Sequence, residues 1–151
     1  MNPEDHVQFD YNQITDNIYI GTNSCCSMHF EEDLLKKGIL ADISLESERL
    51  DQPWGVKHFL WLPTVDHTPP SIDSLVLGTQ MLAYCEERNL QVYVHCKNGH
   101  GRAPTLVAAY FISTGLSLKK AIKKIRDKRR EIHIEPVQEA TLKMFAERVK
   151  W

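Results

Sequence analysis

No apolar run in this chain approaches the ~18 consecutive residues that cross a bilayer. The first residues, Met1 to Asn12, are polar and carry Glu4, Asp5 and Asp10, so a secretory h-region is missing as well. The resulting expectations are a cytoplasmic location and no membrane insertion. Cysteine is scarce. Cys25, Cys26, Cys85 and Cys96 match neither a zinc template nor a small secreted disulfide framework, so they are expected to be mostly thiols and no metal is expected. Excess charge is absent: the net value is −2. Eight of the 18 Lys and Arg residues do fall in Lys119–Arg130. That run reads as a solvated helix face before it reads as a docking surface for an anion, and without interleaved aromatics it does not point to nucleic acid.

What is present suits one soluble domain over residues 1–151, with 42% hydrophobic and 25% charged residues. The element pattern runs from strands alternating with helices to a helical C-terminal half. Asn17–Ile20, Ile39–Leu45, Val56–Leu62 (closed by Pro63) and Val92–Val94 read as strands. Glu31–Lys37 reads as a short helix stopped by Gly38. Ser71 caps a helix running to about Asn89, with Ile72, Leu75, Val76, Thr79, Leu82 and Ala83 inward. Pro104 fits the first position of another, with Leu106, Val107, Tyr110 and Phe111 as its apolar face and Gly115 as its stop. Ser117 caps a third, with Leu118, Ala121, Ile122 and Ile125 inward. Pro136 opens the last, with Val137, Thr141, Met144, Phe145 and Arg148 along one side. The order implies an α/β layer structure.

The chemistry concentrates in Val94-His95-Cys96-Lys97-Asn98-Gly99-His100-Gly101-Arg102-Ala103-Pro104. A cysteine leaves a strand, an arginine follows five residues after the intervening loop begins, and a helix opens there. Gly99 and Gly101 let the loop curl, and a curled loop aims successive N–H groups inward as an anion nest. The helix adds its positive end, and Arg102 adds a planar fork matched to two phosphate oxygens. Lys97, Asn98, Gly99, His100, Gly101 and Arg102 would then form a phosphate-binding loop. The same groups stabilise a thiolate, so Cys96 is expected to ionise below the ordinary thiol value of about 8.5 and to act as nucleophile. His95 is expected to fix the loop by hydrogen bonding. A buried structural thiol explains Cys96 but not the glycines and Arg102. A metal site from His95, Cys96 and His100 lacks a second ligand pair. A nucleotide P-loop would need a Gly-Lys-Ser/Thr ending.

A leaving alkoxide needs a proton. Asp66 lies 30 residues upstream of Cys96 in the Pro-rich loop Thr64–Pro70, just after a strand, and neighbouring strands would bring their C-terminal loops together. The competing role is that of a turn-forming Asp. Asp73 fits a first helical turn better, and Asp42 sits inside a strand run.

His95-Cys96-x5-Arg102 resembles the signature of the cysteine-dependent protein tyrosine phosphatase superfamily. Chain length and Asp66 upstream of Cys96 resemble its compact, atypical dual-specificity branch. Ile18-Tyr19-Ile20-Gly21 is similar to the opening strand of that branch. Pro104-Thr105 through Tyr110, Ala121 with Ile125, and Arg129-Arg130 are similar to its helical half. The resemblance implies a dual-specificity phosphatase-like fold, a central mixed sheet flanked by helices. It also implies Cys96 as nucleophile, Arg102 as phosphate clamp, Asp66 as general acid and no cofactor. The expected substrate is a phosphorylated protein, carrying phosphotyrosine and potentially phosphoserine or phosphothreonine, or another phosphate monoester. A lipid or small-molecule phosphatase, a phosphate-binding module of low turnover and, more distantly, a rhodanese-type sulfurtransferase are the other readings. One position departs from the pattern: the family usually has Ser or Thr after the arginine, and this chain has Ala103.

Overall fold

The computed structural model describes residues 8–26 and 28–149; most of the polar N-terminal stretch read above lies outside them. Five strands form one sheet in the order β1-β2-β5-β3-β4. They are β1 (Tyr11–Gln13), β2 (Ile18–Gly21), β3 (Ile39–Glu46), β4 (His58–Thr64) and β5 (Gln91–His95). β1 runs antiparallel to β2, and the other four are mutually parallel. The sheet is therefore mixed, and four strands open their C-terminal ends on the same edge. In an open α/β sheet that edge is where ligands bind.

Helix α1 (Glu32–Lys36) packs near β3, where a small apolar cluster holds Tyr19, Phe30, Leu34, Ile39 and Tyr93. The larger core holds Ile18, Ile20, Ala41, Ile43, Leu45, Val92 and Val94 together with residues of α2 (Ile72–Glu87), α3 (Arg102–Ser113), α4 (Leu118–Arg126) and α5 (Pro136–Arg148). Among the described residues no helix is long and apolar enough to cross a membrane.

Local chemistry explains several boundaries. Ser71 and Ser117 each accept a hydrogen bond from the backbone N–H three residues on, which caps α2 and α4 as expected. Gly38, at φ +89°, ends α1 in a conformation that side chains resist. α3 is buried nearly all round, from Arg102 to Ala109 and again at Phe111 and Ile112, because it lies in the middle of the helical layer.

Five expectations need correction. β4 runs through Pro63 to Thr64, since β4 is an edge strand and the missing N–H there has no ladder partner to lose. α3 begins at Arg102, so Pro104 is its third residue, where the N–H would still lack an intrahelical acceptor. On α2, Val76 is exposed, while Gly78 and Cys85 are buried. The inward face of α5 is Gln138, Leu142 and Phe145; Val137 and Met144 point to solvent. Finally, Cys25 and Cys26 are joined in a disulfide between chain neighbours whose Cα atoms are 3.8 Å apart; Cys85 and Cys96 are thiols.

Candidate active site

β5 lies at the centre of the sheet, and its last residue, His95, hands the chain to Cys96, whose residue surface is 3% exposed. The next five residues curl before α3. Their carbonyls are all engaged outside the loop. Lys97 O accepts from Asn23 N, Asn98 O from Arg129 Nη2 and Gly99 O from Arg129 Nε. His100 O accepts from His133 N, and Gly101 O accepts from Thr105 N and Oγ1. A trans peptide carries its N–H opposite its carbonyl, so a loop with every carbonyl turned out turns its amides in. Gly99 permits the curl. It sits at φ +70°, and a Cβ there would come within 2.6 Å of the Gly21 carbonyl oxygen.

Arg102, the first residue of α3, is 1% exposed. Its Nη1 donates to both carboxylate oxygens of Glu48, at 2.7 and 3.1 Å, and to the Thr64 carbonyl at 2.8 Å. Its Nε lies 3.4 Å from Asp66 Oδ1 and has no hydrogen-bond acceptor in this state. Burial alone would lower the guanidinium pKa, but negative charge at Cys96, Glu48 and Asp66 raises it instead. The thiol and the guanidinium thus face each other electrostatically.

Asp66 is half-exposed in the turn after β4. Its Oδ1 accepts from His67 N at 2.9 Å, so the turn-forming role is real and coexists with its position by Arg102. Thr68 N closes the turn on Val65 O, and Gln138 Nε2 holds Thr68 O at 3.2 Å. Asp66, Cys96, Lys97, Asn98, His100, Gly101 and Arg102 all line one open cavity of about 200 Å³, shared with His67, His133, Glu135 and Gln138. Asp42, the weaker candidate acid, is fully buried elsewhere. His100 at the rim has its pKa lowered by burial and by Arg129.

Two residues behave otherwise than expected. His95 does not hold the loop. Its ring turns to the β3 side, with Nε2 3.3 Å from Asp42 Oδ1 and 3.2 Å from Asp51 Oδ2. Burial works to discharge it, but Asp42 and Asp51 overcome that and hold its pKa up at about 10. Arg129, read as part of a solvated basic run, is fully buried and does the work assigned to His95. Besides its two loop carbonyls it donates to Asn12 Oδ1 at 2.7 Å and lies 3.2 Å from Asp10. Arg129→Ala would leave the carbonyls of Asn98 and Gly99 without their donor and should cost about 3 kcal/mol of folding stability. Vanadate affinity should fall at least tenfold as the loop loosens, and urea unfolding with inhibition assays reads both. Unchanged vanadate binding in a folded variant would show that the loop holds itself.

Glu48, Arg129 and Gln138 escape sequence reasoning because each meets the loop or its neighbours across a tertiary contact. For Arg129 the signals were its place in a basic run and the likeness of Arg129-Arg130 to the family's helical half, and neither pointed to the loop.

Comparison with known proteins agrees with this geometry. Residues 18–148 match the family model described as dual specificity phosphatase, catalytic domain. The human protein named phosphatidylglycerophosphatase and protein-tyrosine phosphatase 1 is 39% identical over 112 residues, covering 73% of this chain and 53% of its own length. Human protein tyrosine phosphatase type IVA 3 is 34% identical, covering 72% of this chain and 65% of its own. The chain spans about half the length of the first of these relatives. A crystal structure of PTPMT1 superposes with a TM-score of 0.77 at 30% identity, covering 93% of this chain and 96% of that one. Human DUSP28 superposes at 0.81 with 18% identity, covering 92% and 97%, and so speaks for the fold alone. The Cys96–Arg102 loop at the sheet edge, the mixed sheet beneath it and the match across residues 18–148 place this chain in the dual specificity phosphatase catalytic-domain family, among the cysteine-dependent phosphatases.

Proposed function

We propose that this domain, read as one unit over residues 1–151, hydrolyses phosphate monoesters through a phosphocysteine on Cys96. The observation that carries the reading is the loop itself: five consecutive carbonyls turned outward around a buried thiol, with Arg102 at the first turn of the following helix. The Cys96 thiolate attacks phosphorus, and the bond to the ester oxygen breaks. Arg102 and the inward amides hold the non-bridging oxygens. Asp66 gives its proton to the departing oxygen, and in the second step takes one from the water that attacks the phosphocysteine. Ala103 is fully buried in the same core cluster as Cys96 and brings no hydroxyl to the sulfur as it leaves. Thr105 does not replace it, because its hydroxyl is committed to Gly101 O.

Asp66→Asn is expected to slow hydrolysis of alkyl phosphates by roughly 10²–10⁴-fold, and that of an activated aryl phosphate far less, because the latter leaves without help. Steady-state kinetics on both substrates test this; equal losses would make Asp66 a turn residue only. A screen of phosphotyrosine, phosphoserine and phosphothreonine peptides against phosphoinositides and soluble phosphates assigns the substrate class. A phosphorylated protein is the first reading. A lipid phosphate is the second, favoured by the relative named a phosphatidylglycerophosphatase and by a 28%-identical structure of PTPMT1 in complex with PI(5)P. A cytoplasmic location belongs to the same reading. The free thiols Cys85 and Cys96 support it, and the Cys25–Cys26 disulfide counts against it.

A further inference from the structure

On the α1 side of the sheet, away from the catalytic loop, four ionisable side chains are buried together: Asp42, Glu46, Asp51 and His95, none more than 1% exposed. The phosphatase reading uses none of them. β3 alternates Asp42, Ser44 and Glu46 onto one face, and the register Asp42↔Tyr93 and Ser44↔His95 brings His95 onto it. We propose that Glu46, Asp51 and His95 bind one divalent first-row cation, Zn²⁺ by preference, as a structural site.

One ligand atom from each of these three residues lies within 4.8 Å of those from the other two. Each residue has one polar atom already held and another free. Glu46 Oε2 accepts from Asn23 Nδ2 at 3.2 Å, and Glu46 Oε1 has no partner. Asp51 Oδ1 pairs with Arg49 at 2.7 Å, and Asp51 Oδ2 has no hydrogen-bond partner. His95 Nε2 faces Asp42 Oδ1 at 3.3 Å, Asp51 Oδ2 at 3.2 Å and Cys26 Sγ at 3.3 Å, and its Nδ1 has no hydrogen-bond partner. That division is how metal ligands are built. An outer group fixes one atom of each ligand, and a carboxylate behind the imidazole sets its tautomer. Asp42 supplies that carboxylate, and neither of its oxygens has a hydrogen bond of good geometry otherwise.

Spacing and charge agree. Glu46 Oε1 is 3.8 Å from His95 Nδ1, the nitrogen offered to the cation; Asp51 Oδ2 stands 3.2 Å from Nε2 of the same ring and reaches that cation by turning about its own side-chain torsions, within the 4.8 Å that encloses the three ligand atoms. Ligands about 2.1 Å from one tetrahedral zinc stand about 3.4 Å apart. The cationic side chains facing the three carboxylates are Arg49 and, if protonated, His95. With all three carboxylates ionised, those two leave one buried negative charge unmatched, and burial raises the pKa of both Asp42 and Glu46 accordingly. A divalent cation beside a neutral His95, with Arg49, balances all three. Carboxylate and imidazole are both donors that zinc accepts; three protein ligands with a water as the fourth is the open zinc pattern, placed here where burial keeps substrate away.

The site would tie the ends of β3 and β5 to the segment that follows β3. Glu48, the brace of Arg102, lies between Glu46 and Asp51 on that segment. The site therefore acts on catalysis through position.

The test uses the full chain with Cys96→Ser, so that metal cannot sit on the catalytic thiol. The expected result is one equivalent of zinc per chain by elemental analysis after purification without chelator. Stripping it should lower the melting temperature by about 5 °C or more, and ZnCl₂ should restore it. Adding Glu46→Gln should abolish both the bound equivalent and the rise. Co²⁺ in place of zinc should give d–d bands without a sulfur-to-cobalt charge-transfer band. Substoichiometric metal with no melting shift overturns the site. So does a full equivalent kept by the Glu46→Gln protein, or a sulfur band, which would move the cation to the cysteines. If Glu46→Gln does not fold, stoichiometry, melting and the cobalt spectrum of the Cys96→Ser protein decide by themselves. Hydrolysis by the parent protein is measured separately, so failure of the metal site leaves the phosphatase reading standing.

Discussion

Cys96→Ser is expected to lower hydrolysis to background, a loss on the order of 10⁴–10⁶-fold, as when other covalent enzymes lose their nucleophile. The thiol sits at the end of the central strand, where the inward amides and Arg102 stabilise a negative sulfur without any base. A serine hydroxyl in the same place ionises far less readily and needs a neighbouring base to take its proton. The adjacent histidine cannot serve, because the His95 ring is turned toward Asp42 and Asp51 on the other side. The loop itself survives the change, since its carbonyls are held by Asn23, Arg129, His133 and Thr105, not by the sulfur. Phosphate or tungstate should therefore still bind and still raise the melting temperature. Phosphopeptide and aryl phosphate assays, beside a thermal shift with tungstate, read the two halves. Retained hydrolysis in a verified Cys96→Ser protein would end the covalent mechanism.

The Cys96–Arg102 unit was legible because its physics is local: strand end, glycines and helix start are consecutive in sequence. Asp66 was legible more weakly, through a strand followed by a Pro-rich loop, and the parallel sheet then brought that loop to the same edge. The partners of the site were not legible. Glu48 is 54 residues from Arg102, and Arg129 is 30 from Gly99, so only the fold makes them neighbours. His95 misled for a related reason. Sequence shows that it precedes Cys96, but pleat alternation decides that it faces Asp42 and Glu46 instead of the loop. The same parity hid the polar face of β3: Ile39–Leu45 reads as an apolar run, yet Asp42 and Ser44 lie on one side of it and Ile43 and Leu45 on the other. Helix caps at Ser71 and Ser117 came through because a cap is a three-residue interaction. The inward face of α5 did not, because Val137 and Met144 are apolar residues left at the surface, which composition cannot tell from core.

Arg102→Lys is expected to lose at least ~10³-fold in kcat/KM although the charge is kept. Arg102 is a buried planar fork with each edge assigned. Nη1 is fixed by Glu48 and the Thr64 carbonyl, and Nε, buried 3.4 Å from Asp66 Oδ1, has no hydrogen-bond acceptor. The fixed edge sets the plane of the guanidinium before any phosphate arrives, so little ordering remains to be done at the moment of reaction. A lysine ammonium is one point of charge. If it takes Glu48 and Thr64 O, it leaves the phosphate; if it takes the phosphate, it leaves a buried carbonyl and a carboxylate unmatched. The loss should fall mainly on the transition state, where the equatorial oxygens spread into the plane that the fork matches. Vanadate, which adopts that geometry on the cysteine, should therefore weaken by a larger factor than inorganic phosphate, which binds as a tetrahedral ground-state ion. Inhibition constants for both, beside kcat and KM, separate the cases. Equal weakening of vanadate and phosphate would reduce Arg102 to an electrostatic anchor. Unchanged constants would mean that another group, with Lys97 the nearest cationic candidate on the loop, holds the phosphoryl oxygens.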